Sequence, residues 1–168
     1  MANVEIELNP VDFITVGTVG PKGRRLFHLQ AGREKQLITL TIEKEQARAL
    51  SEAVTELLDD LSTRQNKPAV SASELARLSM DLREPIEPEF RVAQMGLGYD
   101  PERDLVVLVA QEMVLVEENQ DPDLAQPGVV RLWASRSQMQ ALSLRAREIV
   151  KQGRVDPQSN GRLLYYWT

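Results

Sequence analysis

The sequence predicts an α+β fold, in which two tandem β-β-β-α units form one antiparallel sheet with two long helices packed on one face. Three observations lead to this prediction. Two helical stretches resemble each other at a constant offset, runs of alternating apolar and polar residues precede each stretch, and short turn sequences separate the runs. Short turns between neighbouring strands favour antiparallel pairing.

The similarity joins two stretches that lie 92 residues apart, at 46–58 and 138–150. Both have apolar residues at the spacing of one helix face. An internal duplication predicts architecture, and it says almost nothing about chemistry. Chance similarity between two amphipathic helices is the alternative, although the order of the strands also agrees. The identical pairs are Gln46/Gln138, Ala49/Ala141, Leu50/Leu142, Ser51/Ser143 and Glu56/Glu148.

The first unit, residues 11–64, contains three predicted strands and a helix. Residues 13–19 are rich in β-branched side chains and end at a glycine-proline turn sequence. Apolar and polar residues then alternate in two further runs, at 27–31 and 38–42, as in half-buried strands. A similar run at 4–8 predicts an additional edge strand. The helix has an apolar stripe of Ala47, Leu50, Val54, Leu57, Leu58 and Leu61.

The second unit, residues 88–152, repeats this plan. Its helix is predicted to begin at a capping box, in which Ser135 and Gln138 satisfy each other's backbone N–H groups. The strands are expected at 90–97, 105–110 and 129–133. When the two units are aligned, Phe13 matches Phe90, Leu29 and Ala31 match Leu108 and Ala110, and Leu40 matches Leu132.

The remaining segments are a connector and a tail. Residues 65–87 predict a connector with one short helix, because Ser71 and Glu74 fit another capping box. Residues 153–168 form a C-terminal tail. At 168 residues the whole chain is expected to be a single domain.

Composition and charge exclude several classes of function. The formal net charge is −5 and the isoelectric point is about 5.0, whereas sequence-independent binding to nucleic acid needs a basic surface. The same charge argues against docking on anionic lipid. No apolar run approaches the ~20 residues that a membrane helix needs, and no signal peptide is visible. A cytoplasmic protein that binds neither nucleic acid nor membrane is the simplest expectation.

The residues of metal and catalytic sites are scarce. The chain has no cysteine and one histidine, which removes thiolate chemistry and most zinc sites. The carboxylates Glu84, Glu87 and Glu89 lie beside two prolines, but an extended charged linker has the same pattern. The sequence therefore predicts no metal and no cofactor, and it favours a non-enzymatic protein without excluding an enzyme.

Five short blocks have the order of a known family. They are residues 13–20, 26–31, 43–46 and 88–92, and the pair 153–154 after the last helix. Their order and separations resemble the bacterial family called domain of unknown function 3090, found in actinobacteria and Chloroflexi. The resemblance covers residues 1 to about 154. It implies no activity, because the family has no assigned function.

The tail departs from the pattern of that family. Members commonly end in a short cysteine-rich segment that resembles a zinc ribbon, whereas this chain has no cysteine. Any zinc role implied by the resemblance is therefore not carried over. In its place stands a run of five apolar and aromatic residues, Leu163, Leu164, Tyr165, Tyr166 and Trp167.

This run of residues 163–167 is the strongest functional signal in the sequence. Five consecutive apolar or aromatic side chains are costly to leave in water. They either fold back on their own domain as an edge strand or cap, or they bind a partner protein or a second copy of the chain. The sequence does not decide between these alternatives.

A second candidate site is an anion-binding cluster. Arg24 and Arg25 flank a glycine-rich turn, and guanidinium groups with turn N–H groups are suited to phosphate. His28 and Arg91 would complete the site in a cleft between the two units. A solvated hairpin tip is the alternative for the arginines, and a partly exposed strand histidine is the alternative for His28.

Two functions are therefore predicted. The first is a non-enzymatic binding or adaptor protein, a dimer in its simplest form, that acts through its sheet face and its tail. The second is an enzyme or binding protein for a small phosphorylated or anionic ligand. The partner, the ligand, the oligomeric state and the packing of the units as one sheet or two are left open.

Overall fold

The computed structural model describes residues 4–21, 23–68, 70–115 and 126–154. It confirms a mixed α+β chain, in which the pattern of β-branched and alternating residues forms strands and the apolar stripes form helices. Within these ranges the elements are β1 (Glu5–Leu8), β2 (Phe13–Val19), β3 (Leu26–Arg33), β4 (Gln36–Ile42), α1 (Lys44–Arg64), α2 (Ala72–Ala76), β5 (Pro88–Asp100), β6 (Leu105–Glu112), β7 (Val129–Ala134) and α3 (Arg136–Arg154).

The seven strands of the described chain form one sheet in the order β1-β7-β6-β5-β4-β3-β2. The prediction of a purely antiparallel sheet is wrong, because β1 pairs with β7 and β4 pairs with β5 in parallel. The other four pairs of neighbours are antiparallel. The chain passes through α1 and the connector between β4 and β5, and a crossover of this length permits parallel neighbours, whereas a short turn does not.

The sheet curls so that its two edges approach each other. Seven flat strands would place the edges about 29 Å apart, whereas the residues that link Leu8 to Phe13 span at most ~18 Å. The N–H groups of Val11 and Asp12 donate to the carbonyls of Trp133 on β7 and Gly32 on β3, both at 2.7 Å. The junction between β1 and β2 therefore bridges two strands that lie near opposite ends of the strand order.

Both long helices begin at reciprocal caps. In α3 the Ser135 N–H donates to Gln138 Oε1 at 2.8 Å, and the Gln138 N–H donates to Ser135 Oγ at 3.1 Å, which confirms the predicted capping box. Glu43 and Gln46 form the corresponding box in α1, which the sequence analysis did not identify. These caps satisfy N–H groups that have no partner within a helix.

One apolar cluster joins the two long helices to the sheet. Strand residues that alternate along β3, β4, β6 and β7 point into it, and complete burial stabilises each large aliphatic side chain by about 1.5–3 kcal/mol. The central members, all at most 1% exposed, are Leu29, Leu40, Leu108, Leu132, Val54, Met139 and Leu142.

The connector covers the opposite side of β2 and β3. Thr15 Oγ1 donates to the Met80 carbonyl at 2.6 Å, and Gln30 Nε2 donates to the Arg83 carbonyl at 2.8 Å. A Cβ atom placed on Gly17 would lie 2.7 Å from Leu82 Cγ, so only glycine allows this approach. Part of the sheet face that the sequence predicts to be available for binding is thus covered by the chain itself.

Candidate functional site

A groove runs along the side of α1 that faces β5. Its volume is about 870 Å³, which lies within the range of known ligand pockets. The floor is apolar and is formed by Leu50, Leu57, Met95, Leu97 and Leu108. The rim along the helix has three carboxylates, Glu56, Asp59 and Asp60, and one guanidinium, Arg64, so its formal charge is negative. We call this feature the α1–β5 groove.

The groove is open because α1 packs mainly on α3 rather than on β5. At its start, α1 is fixed to the strand, since Gln46 Nε2 donates to the Val92 carbonyl at 2.9 Å. Beyond that point the groove side of the helix presents Ala49 and Ala53, which are too small to fill the space next to the strand. Helix placement and small side chains together leave the apolar floor accessible.

The junction between α3 and β2 begins in the same way but is closed. Gln138 Nε2 donates to the carbonyls of Val11 and Asp12, at 3.4 and 3.3 Å, as Gln46 does on β5. From there α3 stays in contact with β2. The two junctions therefore share an anchor and differ in how closely the helix approaches the strand.

Exposure at the two junctions differs residue by residue. We compare side chains that occupy the same position relative to the anchoring glutamine in each junction. At the α3–β2 junction these side chains are all buried, whereas in the α1–β5 groove they are exposed or half-buried. Apolar side chains that are covered in one junction are thus left partly in water in the other. The pairs, groove residue first, are Ala49/Ala141, Leu57/Ile149, Met95/Ile14 and Leu97/Val16.

The electrostatics of the groove rim are negative. Glu56 and Asp59 are exposed carboxylates on successive turns of α1. Asp60 forms an ion pair with Arg64, at 2.9 Å, at the far end of the helix, where the Arg64 side chain is 80% exposed. Because the floor lacks charge and the rim is acidic, the groove is complementary to an apolar group with an adjacent cation.

The residues of the predicted anion site occupy different surroundings. Arg24 and Arg25 lie in the turn between β2 and β3, where the Arg24 N–H donates to the Pro21 carbonyl at 3.0 Å. Arg91 lies on β5 and forms an ion pair with Glu43, the residue before α1. Its charge is therefore already balanced by a carboxylate.

The expectation of a partly exposed His28 is wrong, because the residue is 3% exposed. His28 pairs with Gly17 across the sheet, and Leu82 of the connector packs over that glycine. The ring lies 3.4 Å from Thr41 Oγ1. Burial lowers the pKa of His28, although a backbone hydrogen bond at Leu40 opposes the shift. A neutral imidazole provides no cation for an anionic ligand.

Two features of the sequence lie outside the described residues. The first is the predicted tail with Leu163, Leu164, Tyr165, Tyr166 and Trp167, and the second is an acidic stretch that the sequence predicts to be a solvated loop, with Glu117, Glu118, Asp121 and Asp123. Within the described part of the chain, no group of three or more histidine, cysteine or acidic residues is arranged to hold a metal ion. No helix in that part is both long and apolar enough to cross a membrane.

The sequence places Leu50 and Leu57 on the apolar stripe of a helix and Met95 and Leu97 in a strand, and it predicts no groove between them. Leu57 lies at the edge of the α1 stripe, and Met95 and Leu97 alternate with glycines beyond the register shift in β5, which is also the pattern of buried residues. The available signal was the pair Ala49 and Ala53, which places small side chains beside that edge. The distance between α1 and β5 decides whether these side chains are covered. Neither the helix pattern nor the strand pattern encodes that distance.

Comparison with known proteins gives one match. No curated protein and no solved structure matches the chain. A family model described as protein of unknown function (DUF3090) matches residues 6–160, and these residues include every helix and all but the first residue of the strands described above. The chain therefore belongs to the DUF3090 family.

Proposed function

We propose that this protein is a non-enzymatic binding protein whose binding surface is the α1–β5 groove. The observation that supports the proposal most directly is the partial exposure of Leu57, Met95 and Leu97, which are half-buried against the core, whereas their counterparts at the α3–β2 junction are fully buried. Exposed contiguous apolar surface rimmed by polar residues is typical of interaction sites.

The shape and charge of the groove indicate the class of its ligand. A volume of about 870 Å³ is enough for several side chains of a peptide segment. An apolar segment in a helix-lined groove is a common mode of peptide recognition. Because Glu56, Asp59 and Asp60 form the rim, the preferred segment has a lysine or arginine next to its apolar residues.

The sequence analysis assigned binding to the sheet face and the tail. The connector favours the groove over the sheet face, since Met80, Leu82 and Arg83 already pack on β2 and β3. The tail, residues 163–167, stays a proposed contact, and a second copy of the chain stays a possible partner. The cytoplasmic location expected from the sequence also stays a proposal.

We further propose that the two units are copies of one β-β-β-α ancestor. Corresponding bonds support this, since Gln46 and Gln138 anchor both helices, and both units place a parallel pair beside an antiparallel one. Strand pairing gives a corrected alignment. Leu132 pairs with Leu8 and Leu40 pairs with Phe90, so Phe90 corresponds to Leu8 rather than to Phe13.

The alternative proposal, a site for a small anionic ligand, has less support. It requires Arg24, Arg25, His28 and Arg91 to act together. His28 is buried with a lowered pKa, and the Arg91 guanidinium is bound to Glu43. The two arginines of the turn have no such partner in the proposal, but Arg24 is exposed and Arg25 half-buried, and charges at a solvated surface bind an anion weakly.

Selection from a random peptide library on the immobilised full chain tests the proposal. It is performed with the natural tail and with a chain that has Tyr165→Ser, Tyr166→Ser and Trp167→Ser. The selected peptides are expected to contain two or more large apolar residues and a basic residue. Ala53→Arg, which places a long side chain in the groove, should weaken their binding at least ~10-fold.

The control is Ala76→Arg, since Ala76 is an exposed alanine of α2 that does not line the groove. Both changes are at exposed helix positions, where substitutions usually alter stability by about 0.5 kcal/mol or less. A selection that yields no peptide, or peptides that bind Ala53→Arg as tightly as the parent chain, would contradict the proposal.

A further inference from the structure

We infer that the α1–β5 groove is occupied by residues 162–167 of the same chain. This inference rests on the proposed function, because it names the occupant of that binding surface. Under this inference the protein covers the groove with its own tail. Another apolar segment binds there by displacing the tail. Three properties of the groove and the tail lead to it.

The first property is the match of apolar surface. The tail contains Leu163, Leu164, Tyr165, Tyr166 and Trp167 in succession. The floor of the groove is apolar, and the corresponding side chains at the α3–β2 junction are fully buried. Contact between these two apolar surfaces removes both from water. Burial of apolar surface stabilises the folded chain by roughly 25 cal/mol per Å².

The second property is charge. Arg162 directly precedes the apolar run, and it is the only charged residue in the last eleven positions of the sequence. The groove has carboxylates at Glu56, Asp59 and Asp60, on one side only. Binding of the run against the floor brings the Arg162 guanidinium within reach of this rim, and the pairing fixes the direction in which the segment lies.

The third property is reach. The described chain ends in α3 at Arg154, and Leu163 follows nine residues later. An extended segment of this length spans up to ~30 Å, whereas a folded chain of 168 residues has a radius of gyration of only about 15 Å. A segment of that span reaches across most of the molecule, so occupation by the same copy needs no second chain.

Self-occupation has a functional consequence. A partner segment competes with a tail that is present at the high effective concentration of a tethered group. Only segments with a better match to the groove displace it. The tail thus sets a threshold for binding and keeps an apolar groove covered when no partner is present.

Fluorescence of Trp167 tests the inference in the full chain. The sequence has two tryptophans, and Trp133→Phe leaves Trp167 as the only emitter. Trp133 lies on β7, where its indole N–H donates to Glu7 at 2.7 Å, and it does not line the groove. Emission shifted to the blue and protected from acrylamide is expected, with both properties lost in Ala53→Arg and kept in Ala76→Arg.

Disulfide trapping provides a second measurement with the natural Trp133. Because the chain has no cysteine, Ala53→Cys with Leu164→Cys creates a single possible bridge within one chain. An intrachain disulfide should form within minutes of mild oxidation. The matched control combines Leu164→Cys with Leu144→Cys, since Leu144 is a 44% exposed residue of α3 that does not line the groove. That pair should cross-link far more slowly.

The inference is overturned by any of four results. Trp167 emission that is solvent-like in the parent chain shows an empty groove, and protection that survives Ala53→Arg shows a tail bound elsewhere. Protection that disappears on dilution, or disulfides that join two chains, show occupation by a second copy. The peptide selection tests the proposed function independently. A groove that binds the selected peptides but not the tail would overturn this inference and leave the proposed function in place.

Discussion

Ser51 of α1 and Ser143 of α3 exchange hydrogen bonds across the helix interface. Ser51 Oγ donates to the Ser143 carbonyl, and Ser143 Oγ donates to the Ser51 carbonyl, both at 2.9 Å. The two residues are 3% and 2% exposed. Because each hydroxyl is small and points at the other helix, the backbones approach closely at this point. The contact lies within the main interface of α1, which packs on α3 and makes few contacts with β5, where the groove opens.

Replacing Ser143 by alanine should destabilise the protein by about 1 kcal/mol, because the Ser51 carbonyl loses a buried donor. Thr55 Oγ1 also lies 3.0 Å from Ser143 Oγ and would lose a neighbour. Ser51→Ala should cost a similar amount. Urea unfolding of both single variants and the double variant measures this, and the cycle should show a coupling of at least ~0.5 kcal/mol. Strictly additive effects would mean that the two bonds act independently.

The approach of Leu82 to Gly17 gives a test of connector packing. Gly17→Ala places a Cβ atom 2.7 Å from Leu82 Cγ, so the Leu82 side chain has to shift. Such overpacking should cost about 1–3 kcal/mol in urea unfolding, and Leu82→Ala in the same chain should recover part of it. Gly96→Ala is the matched control, since a Cβ atom on Gly96 of β5 meets no atom within 4 Å. Equal effects at both glycines would show that the connector does not rest on Gly17.

The single histidine gives a pH prediction with one assignable signal. Burial lowers the pKa of His28 from its ordinary value of about 6.5. A lowered pKa means that the unfolded chain binds the proton first, so this contribution to stability is present above pH ~6.5 and is lost as the pH falls. NMR titration of the imidazole should show the low pKa, and His28→Gln should flatten the stability profile in this range. A pKa above 6.5 would favour the anion-site alternative.

Local patterns predicted most elements of this fold. The alternation at 27–31 and 38–42 appears as β3 and β4, and the Ser135 and Gln138 cap begins α3 as expected. Strand direction was not predictable in the same way. The alternation of residues in β5 is identical for a parallel and an antiparallel neighbour, so only the path of the chain through α1 and the connector decides the pairing.

The candidate site was less predictable than the fold, for a physical reason. His28 is buried beside Gly17, over which the connector residue Leu82 packs, and Leu82 is distant in sequence from β3. Exposure of Leu57 and Met95 depends on where α1 lies relative to β5, and α1 packs mainly on α3, where Ser51 contacts Ser143. Side-chain patterns report which face of an element is apolar, and they do not report whether another element covers that face.

A polar cluster at the start of α3 provides the last test. Arg136 donates to Asp104 through Nε at 2.9 Å and through Nη2 at 3.0 Å, and Tyr99 donates its hydroxyl to the same carboxylate at 2.6 Å. Asp104 has a φ of +53°, a left-handed conformation that few residues other than glycine, asparagine and aspartate adopt readily. The cluster thus ties the turn between β5 and β6 to the first residue of α3.

Tyr99 should make the protein sensitive to alkali. Burial and the hydrogen bond to Asp104 raise the pKa of Tyr99 to about 12. Between pH ~10, where an unfolded tyrosine ionises, and pH 12, the unfolded chain releases a proton that the folded chain keeps. The contribution of Tyr99 is therefore present below pH ~10 and is lost as the pH rises through this window. Tyr99→Phe should remove the highest tyrosinate step in an ultraviolet titration and should lower stability at pH 7 while flattening its alkaline decline. Loss of a step near pH ~10, with the highest step kept, would show that Tyr99 ionises as a solvated phenol.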